Sequence, residues 1–337
     1  MRIRIFAYHF LAMFHKSVHA QIFQDYTNAV EFPSSPANLY DPIRYILSLS
    51  GKRIRPLLVN MGVELFDASH VPASLPASAA IEYFHNFSLI HDDIMDKAPL
   101  RRGMETVHQK WNDSVAILSG DALLVKAYEE LVKCPTDKLA PLLRLFNRTA
   151  LEVCEGQQYD MDFEERNTVT QDEYINMIRL KTSVLLGCAL QMGAIIGNAE
   201  ESAQELLYEF GVNLGIAFQL QDDLLDVYGD PKTFGKQVGG DIISNKKTLL
   251  FIKLRELLTA DDEAEFVQLQ ASNLENEPDK VAKMKALYAK YDIQALAIYQ
   301  KEKFTAIAYE KLRAIRVEES RKDALFSLAD ALMNREQ

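Results

Sequence analysis

Two aspartate clusters share one spacing, Asp92-Asp93-x-x-Asp96 in LIHDDIMD and Asp222-Asp223-x-x-Asp226 in QLQDDLLD, and both stand in stretches otherwise rich in Leu, Ile and Val. On a helix, positions i and i+4 lie one above the other, so Asp92 stacks on Asp96 and Asp222 on Asp226. Such like-charged pairs repel by roughly 0.2–0.5 kcal/mol at an exposed site and by more when half-buried, so a cation is expected between them. All-oxygen ligands, with no His-x-x-x-His or paired cysteines nearby, suit a hard divalent ion such as Mg²⁺, which keeps several waters and is shared with substrate phosphates. The clusters therefore point to a phosphate-bearing ligand. A solvated acidic face is the ordinary fate of a charge run. Two copies flanked by Leu, Ile and Val argue against that here.

Basic segments punctuate the gaps. Gly51-Lys52-Arg53-Ile54-Arg55-Pro56 opens a helix, where free N–H groups also favour an anion. Arg101-Arg102-Gly103 follows the first cluster, and a chain reversing after Pro99 would bring both guanidinium groups back beside it. Lys181-Thr182 sits inside a long apolar stretch, and Phe234-Gly235-Lys236 and Asn245-Lys246-Lys247-Thr248 follow the second cluster. Each alone has a bland explanation as a surface charge or a snorkelling lysine. Together, acidic and basic groups alternating after successive helices are what a diphosphate site bridged by Mg²⁺ requires. His85 lies two helical turns before Asp92 on the same face and reads as a donor to substrate.

The elements that must hold these groups read as helices. Asp41-Pro42 looks like an N-cap with proline at the first helical position, and Gly51 like the stop. Ser78 to Asp96 forms a strongly apolar helix ended by Pro99. No proline interrupts residues 142–230, so long helices are permitted there. Gln171 to Asn198 is one, with Thr170 as N-cap and Gly197 near its end, and Glu201 to Tyr228 is another. Asp279 to Ile315 is amphipathic. Alternating strand patterns are absent, so the expected class is all-α, in one domain spanning residues 1–337.

Composition sets bounds. Hydrophobic content of 48% supports a large core, and a net charge of −11 argues against nucleic acid and anionic membrane surfaces as partners. Cys134, Cys154 and Cys188 are odd in number and show no C-x-x-C, so they read as buried thiols in a reducing cytoplasm. No run reaches the roughly 18 apolar residues of a membrane span. Residues 1–20 loosely mimic a signal peptide, but His9 interrupts the apolar run and nothing later looks secreted; they are left as an N-terminal extension.

GKRIRP, the HNFSLIHDDIMD…LRRG block, Lys181-Thr182, FQLQDDLLD, FGK and NKKT together resemble the trans-isoprenyl diphosphate synthases, the short-chain polyprenyl synthetase family, over about residues 35–255. The resemblance implies an all-α isoprenoid-synthase bundle around a deep central cavity, usually a homodimer. It implies three Mg²⁺ on an allylic diphosphate, held by Asp92, Asp96 and Asp222, with Asp93, Asp223 and Asp226 in supporting positions and Asp226 counted among the metal residues. Arg101, Lys181, Lys236 and Lys246 would contact that diphosphate, while Lys52, Arg55, His85 and Arg102 would hold isopentenyl diphosphate. Gln219 and the carbonyl of Lys181 or Thr182 would face the developing cation. Phe87 and Phe84, about 7.5 and 12 Å along the helix from Asp92, would floor the cavity, with Ser88 beside them, and limit chain length. Asp93-Ile94-Met95-Asp96 lacks the extra residues of many bacterial farnesyl synthases, which favours geranylgeranyl over farnesyl diphosphate as product. A class I terpene cyclase would share the first cluster but carry Asn, Ser/Thr and Glu in its second metal motif. A non-catalytic partner subunit would tend to have damaged clusters.

Overall fold

Long apolar stretches with no strand alternation satisfy their backbone groups within each segment, as helices. The computed structural model describes residues 18–229, 239–271 and 277–334. The chain runs α1 (Val18–Ala29), α2 (Ala37–Ser48), α3 (Ile54–Asp67) and α4 (Val71–Met95). A small antiparallel hairpin follows, β1 (Leu100–Arg101) and β2 (Met104–Glu105), then α5 (Val107–Lys110), α6 (Asp113–Val132) and α7 (Thr136–Glu165). Next come α8 (Gln171–Ile178), a π-helical turn over Arg179–Ser183, α9 (Val184–Ile196) and α10 (Glu201–Tyr228). The remainder is α11 (Gly240–Ile243), α12 (Leu249–Leu257), α13 (Ala260–Ala271), α14 (Glu277–Lys290), α15 (Ile293–Ala314) and α16 (Asp323–Met333).

Helix α9 is the centre of the packing. All its residues except Gln191 are buried, and it touches α3, α7 and α10. Glycines make these contacts close: a Cβ on Gly62 of α3 would stand 2.5 Å from the Leu190 carbonyl oxygen, and one on Gly193 would overlap the Val59 carbonyl. Backbones that near each other exclude water between the helices and leave no room for a side chain. Buried apolar residues form two clusters, one around α3, α4, α6 and α9, the other around α8 and α11 to α15. Helix α10 feeds both, with Leu207, Phe210 and Leu214 in the first and Val212, Ile216 and Leu224 in the second.

Several boundaries differ from expectation. Helix α2 begins at Ala37, so Pro42 lies inside it; the intrahelical bond lost there is offset by burial of Ile43 and Ile46 at 0% and 1% exposure. The same helix ends at Ser48, before Gly51. Helix α4 starts at Val71, with Pro72 in its first turn and Pro76 inside. The stretch from Asp279 to Ile315 is two helices, broken where Asp292 adopts φ 52° and the Tyr291 hydroxyl engages the Thr259 amide nitrogen 3.1 Å away. Thr170 is the N-cap expected, completing a reciprocal capping box with Glu173. Cys134 and Cys188 are buried, but Cys154 is exposed, because it lies on α7 where that helix borders an open cavity. By length and composition alone, Gln171–Ile196 could cross a membrane, contrary to expectation, yet 78% of its apolar window is buried inside the molecule. Of the leader-like residues 1–20, residues 1–17 lie outside those described and Val18 to Ala20 open α1.

Gly193→Ala is expected to destabilise the fold by about 1–3 kcal/mol through overpacking against α3. Urea unfolding would check this, and an unchanged midpoint would refute the tight α3–α9 contact.

Candidate active site

A cavity of about 460 Å³ opens between α3, α4, α7, the π turn, α9 and α10. Its walls carry Asp92, Arg101, Lys181, Thr182, Gln219 and Asp222 at the polar end, with Phe84, Phe87, Ser88, Leu185 and Phe218 among the rest. Thus the two aspartate clusters, remote in sequence, meet across one space.

Within each cluster the carboxylates divide their tasks. Asp93 is 1% exposed and takes the Arg101 guanidinium in a fork, with Nε 2.8 Å from both oxygens and Nη2 2.6 Å from Oδ1. Burial pushes the Asp93 carboxyl up, and Arg101 pulls against that shift. Asp223 is likewise buried, accepting from the Tyr174 hydroxyl and, at 3.3 Å, from Gln219 Nε2. Burial, then the Asp241 charge, raise its pKa to about 7. Asp92 and Asp222 instead face the cavity. The Asp96 carboxyl, at the C-cap of α4, is raised by partial loss of its hydration and then by Asp92, which is the stacked repulsion that the i, i+4 spacing predicts. Asp226 Oδ2 accepts from the Asp241 amide at 3.0 Å, fixing the turn into α11.

Lysines supply the counter-charge. Lys181 Nζ lies 3.1 Å from Asp92 Oδ1 and 2.6 Å from Asp160 Oδ2. Burial alone would lower its pKa, but Asp92 and Asp160 outweigh that and hold it up. Lys246 approaches Asp160 at 4.0 Å, and it too is held up against burial, by Asp160 and Asp241. The π turn places Lys181. Its extra residue is accommodated because Gly215 on α10 leaves room where a Cβ would stand 2.7 Å from Ser183, and Gly156 on α7 faces the Lys181 backbone.

Arg55 and His85 form a second polar group on the same cavity. Arg55 Nη1 lies 3.0 Å from His85 Nε2, so that nitrogen accepts and the imidazole is neutral. Burial, then Arg55, drive the His85 pKa well down, while burial lowers Arg55 to about 10. Arg55 Nε is buried with no hydrogen-bond partner among the described residues.

The other expected groups are spread more widely. Arg101 folds back onto the first cluster, whereas Arg102 points towards Arg55 and His85, its guanidinium against Gly51 and 3.4 Å from the Leu49 carbonyl and its charge lowering the pKa of both. Lys52 is exposed and lines a separate cavity with Leu57 and Leu328. Lys236 lies outside the described residues. At the apolar end Phe84 is 1% exposed and packs edge-on against Phe146 at 5.3 Å, whereas half-buried Phe87 lies 5.6 Å from Phe84 and 4.8 Å from His91. Ser88 spends its hydroxyl on the His85 carbonyl at 2.8 Å.

Asp160, Tyr174 and Glu82 are absent from the expected site. Asp160 and Tyr174 stand outside every motif quoted above, so neither carried a signal in the sequence. Among the described residues no three His, Cys, Asp or Glu side chains converge closely enough to hold a metal ion by themselves. Opposed carboxylates with cations between them form a site whose remaining ligands must come from outside the protein, which is how Mg²⁺ is usually shared with phosphate oxygens.

An all-α bundle presenting two acidic clusters and a basic rim to one apolar cavity defines an enzyme class that handles diphosphates on hydrocarbon chains. The chain belongs to the polyprenyl synthetase family, whose model matches residues 36–291. It is 43% identical to geranylgeranyl diphosphate synthase of Methanosarcina mazei over 66% of this chain and 68% of that protein. It is 38% identical to geranylgeranyl diphosphate synthase of Saccharolobus solfataricus over 81% and 82% of the two chains. A crystal structure of geranylgeranyl pyrophosphate synthase superposes with a TM-score of 0.88 at 46% identity, covering 94% of this chain and 97% of that one.

Proposed function

We propose that this chain is a trans-prenyltransferase that condenses isopentenyl diphosphate with an allylic diphosphate, with geranylgeranyl diphosphate as the favoured product. The observation that carries this reading is the single cavity that has Asp92, Asp222, Lys181 and Arg101 at one end, aromatic rings at the other and the Arg55–His85 pair on its wall. Similarity to geranylgeranyl diphosphate synthases supports the product assignment.

Prenyl diphosphate synthases depend on Mg²⁺ in general, and the donor set fits it: carboxylate oxygens from two helices, with coordination left for water and diphosphate. Asp92, Asp96, Asp222 and Asp226 would hold the metal, three ions once substrate is present. Bound there, it supplies Lewis-acid stabilisation of the departing diphosphate. Arg101, Lys181, Lys246 and Lys236 would take up the negative charge that develops as the allylic C–O bond breaks. Asp93 and Asp223, spent on Arg101 and Tyr174, orient rather than ligate. Gln219 and the Lys181–Thr182 backbone would turn carbonyl dipoles toward the allylic cation, and Leu185, Phe218 and Phe87 keep water from quenching it. Arg55, His85, Arg102 and Lys52 would hold isopentenyl diphosphate, whose double bond attacks the cation, after which a proton passes to the released diphosphate.

The whole chain is read as one domain, since α10 contributes to both apolar clusters. A homodimer fits the outer face of α6, where Leu118, Val125 and Val132 recur every seventh residue at 60%, 58% and 65% exposure. Light scattering should give roughly twice the 38.3 kDa chain mass; a monomer at micromolar concentration would overturn it.

Incubation with Mg²⁺, isopentenyl diphosphate and farnesyl diphosphate should yield a linear twenty-carbon diphosphate, with activity lost in EDTA and restored by Mg²⁺. Asp92→Ala should lower kcat by about 10²–10³-fold or more. Cyclic hydrocarbon, or no product at all, would sink the assignment. Phe87→Ala should lengthen the products by at least one five-carbon unit in chromatographic analysis, and an unaltered distribution would place the chain stop elsewhere.

A further inference from the structure

Glu82 stands on α4 one turn before His85 and is 3% exposed. A carboxylate so buried costs several kcal/mol unless matched by charge and hydrogen bonds. The surroundings provide both. Asn86 Nδ2 donates to Oε1 at 3.1 Å, and Arg53 Nη1 stands 3.7 Å from the same oxygen. Burial pushes the carboxyl up, while Arg53, Arg55 and Arg102 all draw it back down.

Those three arginines come from separate places. Arg53 is the left-handed residue before α3, with φ 44°, and its Nη2 donates to the Leu47 carbonyl at 2.6 Å. Arg55 belongs to the first turn of α3, and Arg102 to the hairpin turn that lies against Gly51. Guanidinium groups brought together repel, and only a negative charge placed among them keeps them near one another before an anion arrives. The carboxylate sits on the protein side of the cluster, since it is buried within α4's packed face while Arg55 and His85 reach the cavity.

We propose that Glu82 is a positioning residue that gathers Arg53, Arg55 and Arg102 into one cluster for the diphosphate of the isopentenyl substrate. This rests on the reading of Arg55, His85 and Arg102 as that substrate's site. Glu82 does not touch the substrate; it acts through the arginines. The sign of its effect separates this role from a simple through-space one. Removing a negative charge near an anion site strengthens anion binding if the arginines stay in place, and weakens binding if they disperse.

Steady-state kinetics of Glu82→Gln, which keeps the shape and the Asn86 contact, should show KM for isopentenyl diphosphate raised about tenfold, the loss of roughly one charge-assisted hydrogen bond. KM for farnesyl diphosphate and kcat at saturation should change less than about threefold. Glu82→Asp, with its charge retained but withdrawn by one methylene, should fall between. An isopentenyl KM that is unchanged or lowered, or both KM values rising together, overturns the proposal while leaving the prenyltransferase reading intact. Should Glu82→Gln fail to fold by circular dichroism, the same ratio is read in Glu82→Asp, and a wild-type ratio there overturns it. A wild-type chain that does not saturate with isopentenyl diphosphate overturns both.

Discussion

Carboxylates facing one another across an apolar cavity cannot be left unmatched, and much of the local architecture answers that constraint. At about 4 Å, unit charges interact by roughly 4 kcal/mol at an effective dielectric near 20, more than most single side-chain contacts. Arg101 is therefore drawn back over a hairpin onto Asp93, and Lys181 is held between Asp92 and Asp160. The cations that neutralise the carboxylates in this state are also the donors a diphosphate would seek. Under the proposed function, charge balance and substrate recognition would be met by one set of side chains.

Backbone proximity makes that set possible. Lys181 stands just before the largely buried α9, and it reaches the cavity because the π turn displaces it where Gly156 and Gly215 make space. Glycine contacts between α3 and α9 bring the start of α3, and Arg55 with it, to the same cavity from the opposite side. Small residues in the core therefore decide where large charged ones emerge.

The cavity separates its chemistry along its depth. Charged groups gather where α4 and α10 present Asp92 and Asp222, and aromatic packing from Phe87 through Phe84 to Phe146 closes the other end. A hydrocarbon bearing a diphosphate head matches that polarity. Phe87 is half-buried against His91, while Phe84 is fully buried behind it.

What the linear chain determined was local. The i, i+4 stacking of aspartates, the Thr170 cap and the long proline-free helices follow from helical periodicity and from each residue's own backbone preferences, which need no distant partner. Tertiary structure decided the rest. Arg101 and Arg102 are neighbours in sequence, yet consecutive residues of a turning hairpin point apart, so one meets Asp93 and the other Gly51. Asp160, Tyr174 and Glu82 acquired their partners Lys181, Asp223 and Arg53 only when segments far apart in sequence packed together. Pro42 and Pro76 were absorbed into helices because burial of neighbouring apolar side chains outweighed one missing hydrogen bond each. Which carboxylate faces the cavity and which is buried on a partner depends on the rotation of α4 and α10 within the bundle, and that rotation is set by the summed packing of the core.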